Sequence, residues 1–458
     1  MRKPSINPVA LRELRQLVRS RVVTWGLATF PMILFVFTAL TVATAMSGYS
    51  PTELAFGKGM GKSPFVAVSV ITGIVASAGI PFYSALKAAF ETNSANPGLE
   101  FTTALTPAQI VGGRLASTAI LVAATVATAT PFFAFAYLLR GIPLEWVFAV
   151  PFFLFCGGLF AFSAALCVAV RPGHVALRIA MMILLFCSVL PGALSLLAIF
   201  DSSYASSMKV PLSSVAMVAA AGLAAFVVLV RAQCAATLSP PHADGERTYR
   251  RTVFALFALS SPLAFWPKTG DAWAFVVLLI ASLLTVQSAL SPRGVPRAAR
   301  AAAPKGLFRR ILSFPFATGA TPGVVFFGAL AFVAAAALSL SLSGNPKLVC
   351  VLWACLAETL SVPVIVGAVL RRTGAAPARF RAAGWLMLAY LVAAFVISVM
   401  AKADAFDEDF VSLLPCNFFA IQDAPESHLA IYGVLLLFAV VLAVASYVSE
   451  FSKYRRAK

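Results

Sequence analysis

The chain reads as an all-α polytopic membrane protein, and three observations carry that reading. Sixty per cent of its residues are hydrophobic and only 11% are charged, whereas a soluble globule carries about a quarter charged residues. The apolar residues gather into stretches of about 20, the length that crosses a bilayer as a helix. The basic residues are dense in alternate connecting segments, as they are when Lys and Arg collect on the cytoplasmic side.

Spans can be drawn near 22–46, 65–86, 110–138, 147–170, 177–200, 210–230, 252–266, 272–290, 324–342, 348–370, 382–401 and 429–448. This predicts about twelve transmembrane helices, the seventh being short. They group into a first six-span half over 1–235, a cytosolic linker over 236–251 and a second six-span half over 252–458. With the amino end inside, the outside loops hold Lys58, Lys62, Arg140, Lys209, Lys268, Lys347 and Lys402, and the inside segments hold the other 28 of the 35 basic residues. Slipping one span reverses that bias from that point on, so both termini are expected in the cytoplasm. The net charge of +18 then reflects topology and contact with anionic lipid, not nucleic-acid binding.

The opening stretch, Asn7 to Arg21, is amphipathic, with Leu11, Leu14 and Val18 on one face and Arg12, Arg15 and Arg19 on another. Such a helix lies in the membrane interface with its arginines toward anionic headgroups. Arg2 to Arg21 followed by Ala43-Thr44-Ala45 imitates a signal peptide, but the apolar run far exceeds an h-region of roughly 7–15 residues. The first span is therefore expected to stay as an anchor. Of the seven cysteines, only Cys416 falls clearly in an outside loop, so no disulfide framework is implied.

Gly57 to Ser63, with Lys62, imitates a phosphate loop but has Phe56 where the pattern needs Gly, and it follows no strand. This chain therefore carries no ATPase of its own. Pro191-Gly192 interrupts the fifth apolar segment and leaves either a short re-entrant piece or a kinked helix. Gly306 to Leu312 suits a basic interfacial helix, and Ala401 to His428 is a long acidic outside loop. Glu358 sits near the middle of 348–370, where an ionised carboxylate facing lipid costs roughly 2.5–3.5 kcal/mol on insertion scales. It must face protein, with Ser361 and Cys355 on its side of the helix, in either a structural hydrogen bond or a conduit.

The segment Gly98 to Ala116 runs from a polar loop straight into the third span. Thr106 and Pro107 form a helix start with Gln109 completing a capping box. Before them, Phe90 to Leu105 suits a short surface helix that presents Leu99, Phe101 and Leu105 with Glu91 and Glu100 between them. A fainter copy recurs from Phe316 through Thr321-Pro322 to Gly328 and Ala331, matching Phe101, Thr106-Pro107, Gly113 and Ala116. Either the halves are duplicated, or any helix starting at that membrane face favours Thr-Pro and small residues.

Gly98-Leu99-Glu100, Leu105-Thr106-Pro107, Ile110, Gly113 and Arg114-Leu115 resemble the loop between the second and third spans of ABC-2-type transporter permeases. Asn7 to Gln16 resembles the elbow helix that precedes their first span, and the two matches cover roughly residues 7–140. One departure is Asn93 to Pro97, where the family has a charged Glu/Arg pair and Gly-Thr. The resemblance implies a permease subunit of an exporter in a bacterial inner membrane, whose loop residues Glu91, Leu99, Glu100, Phe101, Leu105, Thr106 and Pro107 dock on a separate cytosolic ATPase. It implies that ATP binds that partner and that this chain holds no cofactor. The exporter needs two six-span halves, from a homodimer or from one chain supplying both.

Two other classes are weaker. A twelve-span secondary transporter suits the same topology, but Lys87 to Arg114 lacks the Gly-x-x-x-Asp-Arg/Lys loop of major-facilitator carriers. A membrane enzyme finds no metal spacing among His174, His242 and His428 and no nucleophile elbow. The topology has a direct check. Single cysteines placed within 231–251 or 291–316 are expected to resist an impermeant maleimide added from outside, and labelling at either segment would overturn the twelve-span arrangement.

Overall fold

The structure is a computed structural model, and it describes residues 7–47, 61–93, 105–171, 212–239, 245–262, 269–291, 304, 306–317, 319–341 and 360–374, with scattered positions in 175–186 and beyond 374. The chain divides into two compact units, Met1–Leu238 and Ser239–Lys458. Every regular element among the described residues is helical.

In the first unit, α1 (Pro8–Arg19) starts where the Asn7 side chain accepts from the Val9 N–H at 3.1 Å, with Pro8 in the first helical position. It stops at Ser20, whose backbone is extended, and α2 (Arg21–Ser47) follows directly. Phe30 and Leu34 of α2 pack against Phe65, Val68 and Phe133. Its other face, including Trp25, Met32, Phe35 and Leu40, is exposed, as a lipid-facing surface is.

The next membrane-length helix is continuous but not uniform, because α3 (Lys62–Ile74) passes through a π-helical turn, Val75–Gly79, into α4 (Ile80–Asn93). The cause is local: Pro81 has no N–H and its ring crowds the carbonyl four residues back, so Ile80 bonds Val75 instead. The widened turn pushes the Ala76 carbonyl toward α6 (Leu144–Ala169). There a Cβ on Gly158 would lie 2.6 Å from that oxygen and 2.9 Å from Val122. Only glycine fits that approach.

α5 (Pro107–Leu138) runs back alongside, with Phe65 edge-on to Phe133 at 5.3 Å between centroids. α6 and α7 (Leu212–Leu238) pack beside these helices, and Phe160 stacks on Phe226 at 4.5 Å. Gly61 meets the far end of α5, its N–H donating to the Arg140 carbonyl at 2.9 Å.

The second unit contains α8 (Gly245–Ser260), α9 (Thr269–Ala289), α10 (Leu307–Ser313) and α11 (Ala320–Ser341), and a 3₁₀ turn, Phe314–Phe316, leads from α10 toward α11. α9 and α11 pack along one another. Arg250 of α8, only 2% exposed, donates to the carbonyls of Pro315 (3.2 Å), Ala317 and Gly319 (2.7 Å) and pairs with Glu246 at 3.1 Å. Glu246 accepts in turn from the Gly319 N–H at 3.0 Å, so one ion pair fixes the entry to α11. Burial pushes the Arg250 guanidinium down to about 10, still well above neutral pH.

Six helical stretches among the described residues are long and apolar enough to cross a membrane: Val23–Thr44, Lys62–Glu91, Pro107–Leu138, Leu144–Ala169, Ala216–Leu238 and Ala320–Ser339. Val276–Ala289 is apolar but shorter. The sequence expected twelve, and most of the remaining spans lie wholly or partly outside the described residues, as do the Pro191-Gly192 break and the acidic loop 401–428. In the segment expected as a linker, 236–251, the described residues are helical except Ser239. Leu238 ends α7 and Gly245 begins α8, because no Pro or Gly follows Gly245 within the helix.

Candidate functional site at the amino-terminal helix

The site forms where α1 lies across the start of α5. Thr106 is the N-cap in extended conformation, and its N–H donates to Gln109 Oε1 at 2.9 Å, the capping-box contact the sequence predicts. The Asn7 amide donates to the Gln109 carbonyl at 2.6 Å, so the residue that caps α1 also ties it to α5. Gly113 makes the contact close: a Cβ there would sit 2.6 Å from Val9 Cβ and 3.0 Å from the Ala10 nitrogen. On another side of the same helix, Arg231 of α7 donates from Nε to the Ala108 carbonyl at 3.3 Å and lies against Gly112.

The residue after Gly113, Arg114, is 5% exposed and carries its charge into this packing. Its Nη2 lies 2.8 Å from Glu91 Oε2 at the end of α4, and its Nε lies 3.4 Å from Glu13 Oε1 on α1. The Ser117 hydroxyl donates to Glu13 Oε2 at 2.6 Å. Lys87 closes the ring, 3.9 Å from Glu91 and donating to Gln16 Oε1 at 2.9 Å. Two acids and two bases thus join α1, α4 and α5 with no net formal charge. The arrangement satisfies the rule that buried charges are paired.

Electrostatically, Glu13 is the strained member. Burial raises its carboxyl above the ordinary carboxylate range, and the Ser117 hydroxyl and the Arg114 guanidinium pull it only part of the way back.

The residues expected to carry function fall into three groups. Glu91 is committed inward to Arg114 and Lys87, Thr106 and Pro107 start α5, and Leu105 is half-buried just before them. Leu99, Glu100 and Phe101 lie outside the described residues, as does Glu358; Ser361 is fully buried. Phe90 to Asn93 continue α4 instead of opening a separate surface helix, since the sequence has no breaker before Asn93. Arg12, Arg15 and Arg19 are exposed, as an interfacial helix requires.

The face of α1 that meets protein is Val9, Ala10, Glu13 and Leu17, whereas Leu11 and Val18 are exposed and Leu14 half-buried. The apolar stripe read from the sequence is therefore turned mostly away from this packing. The sequence reading passed over Glu13, Lys87 and Ser117, although the signal was present: Glu13 is the lone acid in a basic helix, and Arg114 lies seven residues inside an apolar one. No family model, curated protein or solved structure matches this chain.

The raised Glu13 pKa fixes a sign. Between the ordinary carboxylate range and the raised value, the folded chain holds a proton that the unfolded chain has released, so stability falls as pH rises through that window and is level above it. Glu13→Gln is expected to remove this slope while keeping α1 docked. Unfolding in mixed micelles at a series of pH values checks it, and an unchanged slope in the variant would refute the assignment to Glu13.

Proposed function

We propose that this chain is the membrane-spanning permease subunit of an ABC-2-type exporter, driven by a separate cytosolic ATPase that binds the ATP. The supporting observation is the clasp on the start of α5. Asn7, Val9 and Glu13 on the α1 side, Glu91 on α4 and Arg231 on α7 all converge within Pro107–Ser117. A displacement applied to the segment between Asn93 and Leu105 enters α4 and α5 together and is shared by α1. Packed, bistable helices convert such a push into a rigid-body movement.

In this reading Leu99, Phe101 and Leu105 seat in an apolar groove of the ATPase and Glu100 fixes the register by charge. Glu91 has a different task from the one its sequence position suggests, holding Arg114 and leaving docking to the residues after Asn93. Exposed Arg12, Arg15 and Arg19 place α1 against anionic headgroups, with Leu11 and Val18 toward the acyl chains. The chain then sits in the inner membrane with both termini inside, and its twelve spans supply both halves or one half of a homodimer.

The echo between Thr106-Pro107 and Thr321-Pro322 gives the first arrangement little local support. α5 begins at Pro107 with Thr106 as its cap, whereas α11 has already begun at Ala320. Gly113 is filled by Val9, whereas a Cβ on Gly328 would meet nothing within 4 Å.

The test is copurification from native membranes. A nucleotide-binding subunit is expected with the wild-type chain and not with Leu99→Asp/Phe101→Asp, with membrane insertion unchanged in both. Recovery of the same ATPase with the double variant would make the loop a mere connection, and no ATPase with either chain would favour a secondary transporter.

A further inference from the structure

The ends of α6 and α7 bring two thiols together. Cys167 lies in the last turn of α6 and Cys234 near the end of α7, and their sulfurs are 3.8 Å apart. The Cys167 thiol also reaches Gln233 Oε1 at 3.7 Å. Cys234 is 1% exposed, within the core shared by Phe162, Leu166 and Val230, whereas Cys167 is half-buried. Arg171, one turn beyond Cys167, interacts electrostatically with both sulfurs. The clasp around Arg114 makes no use of this pair.

We propose that Cys167 and Cys234 form a two-thiolate site for a thiophilic monovalent cation, Cu(I) or Ag(I). The donor set selects the metal class. Among the described residues no three His, Cys, Asp or Glu converge, so the tetrahedral ligand set of a structural zinc site is not assembled there, and soft thiolates favour Cu(I).

Distance points the same way. A metal–sulfur bond of about 2.3 Å puts the sulfurs of a linear site ~4.6 Å apart, a spreading of ~0.8 Å from the present contact. A disulfide, at about 2.05 Å, requires the two sulfurs to approach by more than ~1.5 Å.

On binding, each thiol loses its proton to solvent, two metal–sulfur bonds form and no electron is transferred. The product carries one net negative charge, which the Arg171 guanidinium offsets. Such a site would brace α6 against α7 when occupied.

The test uses the reduced full-length chain in detergent, titrated with Cu(I) held as its bicinchoninate complex. Wild type and Cys156→Ser are expected to withdraw one equivalent, and Cys167→Ser, Cys234→Ala and the double variant none. In the wild-type chain, Ag(I) is expected to protect Cys167 and Cys234, mapped by peptide mass, from maleimide. That readout does not depend on any variant folding. Failure to withdraw Cu(I), withdrawal undiminished in the double variant, or an intact mass lower by about 2 Da without metal, the mark of a disulfide, would each overturn the proposal.

Discussion

A guanidinium seven residues inside a helix long enough to cross a membrane cannot be left without anions, and the first unit is arranged around meeting that need at Arg114. The two carboxylates that meet it come from different elements, Glu13 on α1 and Glu91 on α4. Because an uncompensated buried charge costs several kcal/mol, α1 and α4 are held to α5 by more than apolar contact. Gly113 permits the approach, since any side chain there would displace Val9 and lengthen the Glu13 contact.

The same interaction explains why α1 differs from an ordinary surface helix. Its polar Glu13 faces inward, while apolar Leu11 and Val18 face outward. The inward side offers Glu13 a cation, Arg114, while the outward side carries apolar and basic side chains together. The second unit solves a related problem with Arg250 and Glu246, but to a different end: the guanidinium satisfies backbone carbonyls ahead of α11 instead of joining separate helices. The two units therefore share a sequence echo at their Thr-Pro pairs without sharing the contacts made there.

Much of the membrane-helix pattern was legible because apolar length is a one-dimensional property. The six membrane-length helices fall on stretches that hydropathy alone marks out, most with ends shifted by a few residues, although the span drawn at 210–230 runs on to Leu238. Pro107 and Thr106 were legible for the same reason, a cap being local chemistry. The clasp was not, because Glu13, Glu91 and Arg114 are brought together only by packing across about 100 residues of chain. The π turn was hidden as well: Pro81 announces a disturbed helix, but whether the helix kinks, breaks or widens depends on Gly158 leaving room for the Ala76 carbonyl. The Cys167–Cys234 contact likewise needs the register of α6 on α7, which hydropathy does not carry.

The central claim, that Arg114 fastens α1 through Glu13, is tested most directly by a double-mutant cycle of Glu13→Gln and Arg114→Met, read by reversible unfolding in mixed micelles. Arg114→Met alone leaves Glu13 buried without its cation and is expected to cost on the order of 3 kcal/mol. In the Glu13→Gln background that cost should shrink by about 1 kcal/mol or more, because the group left unpaired is no longer an acid. Additive losses, agreeing within about 0.3–0.5 kcal/mol, would mean that the two side chains are neighbours without being partners.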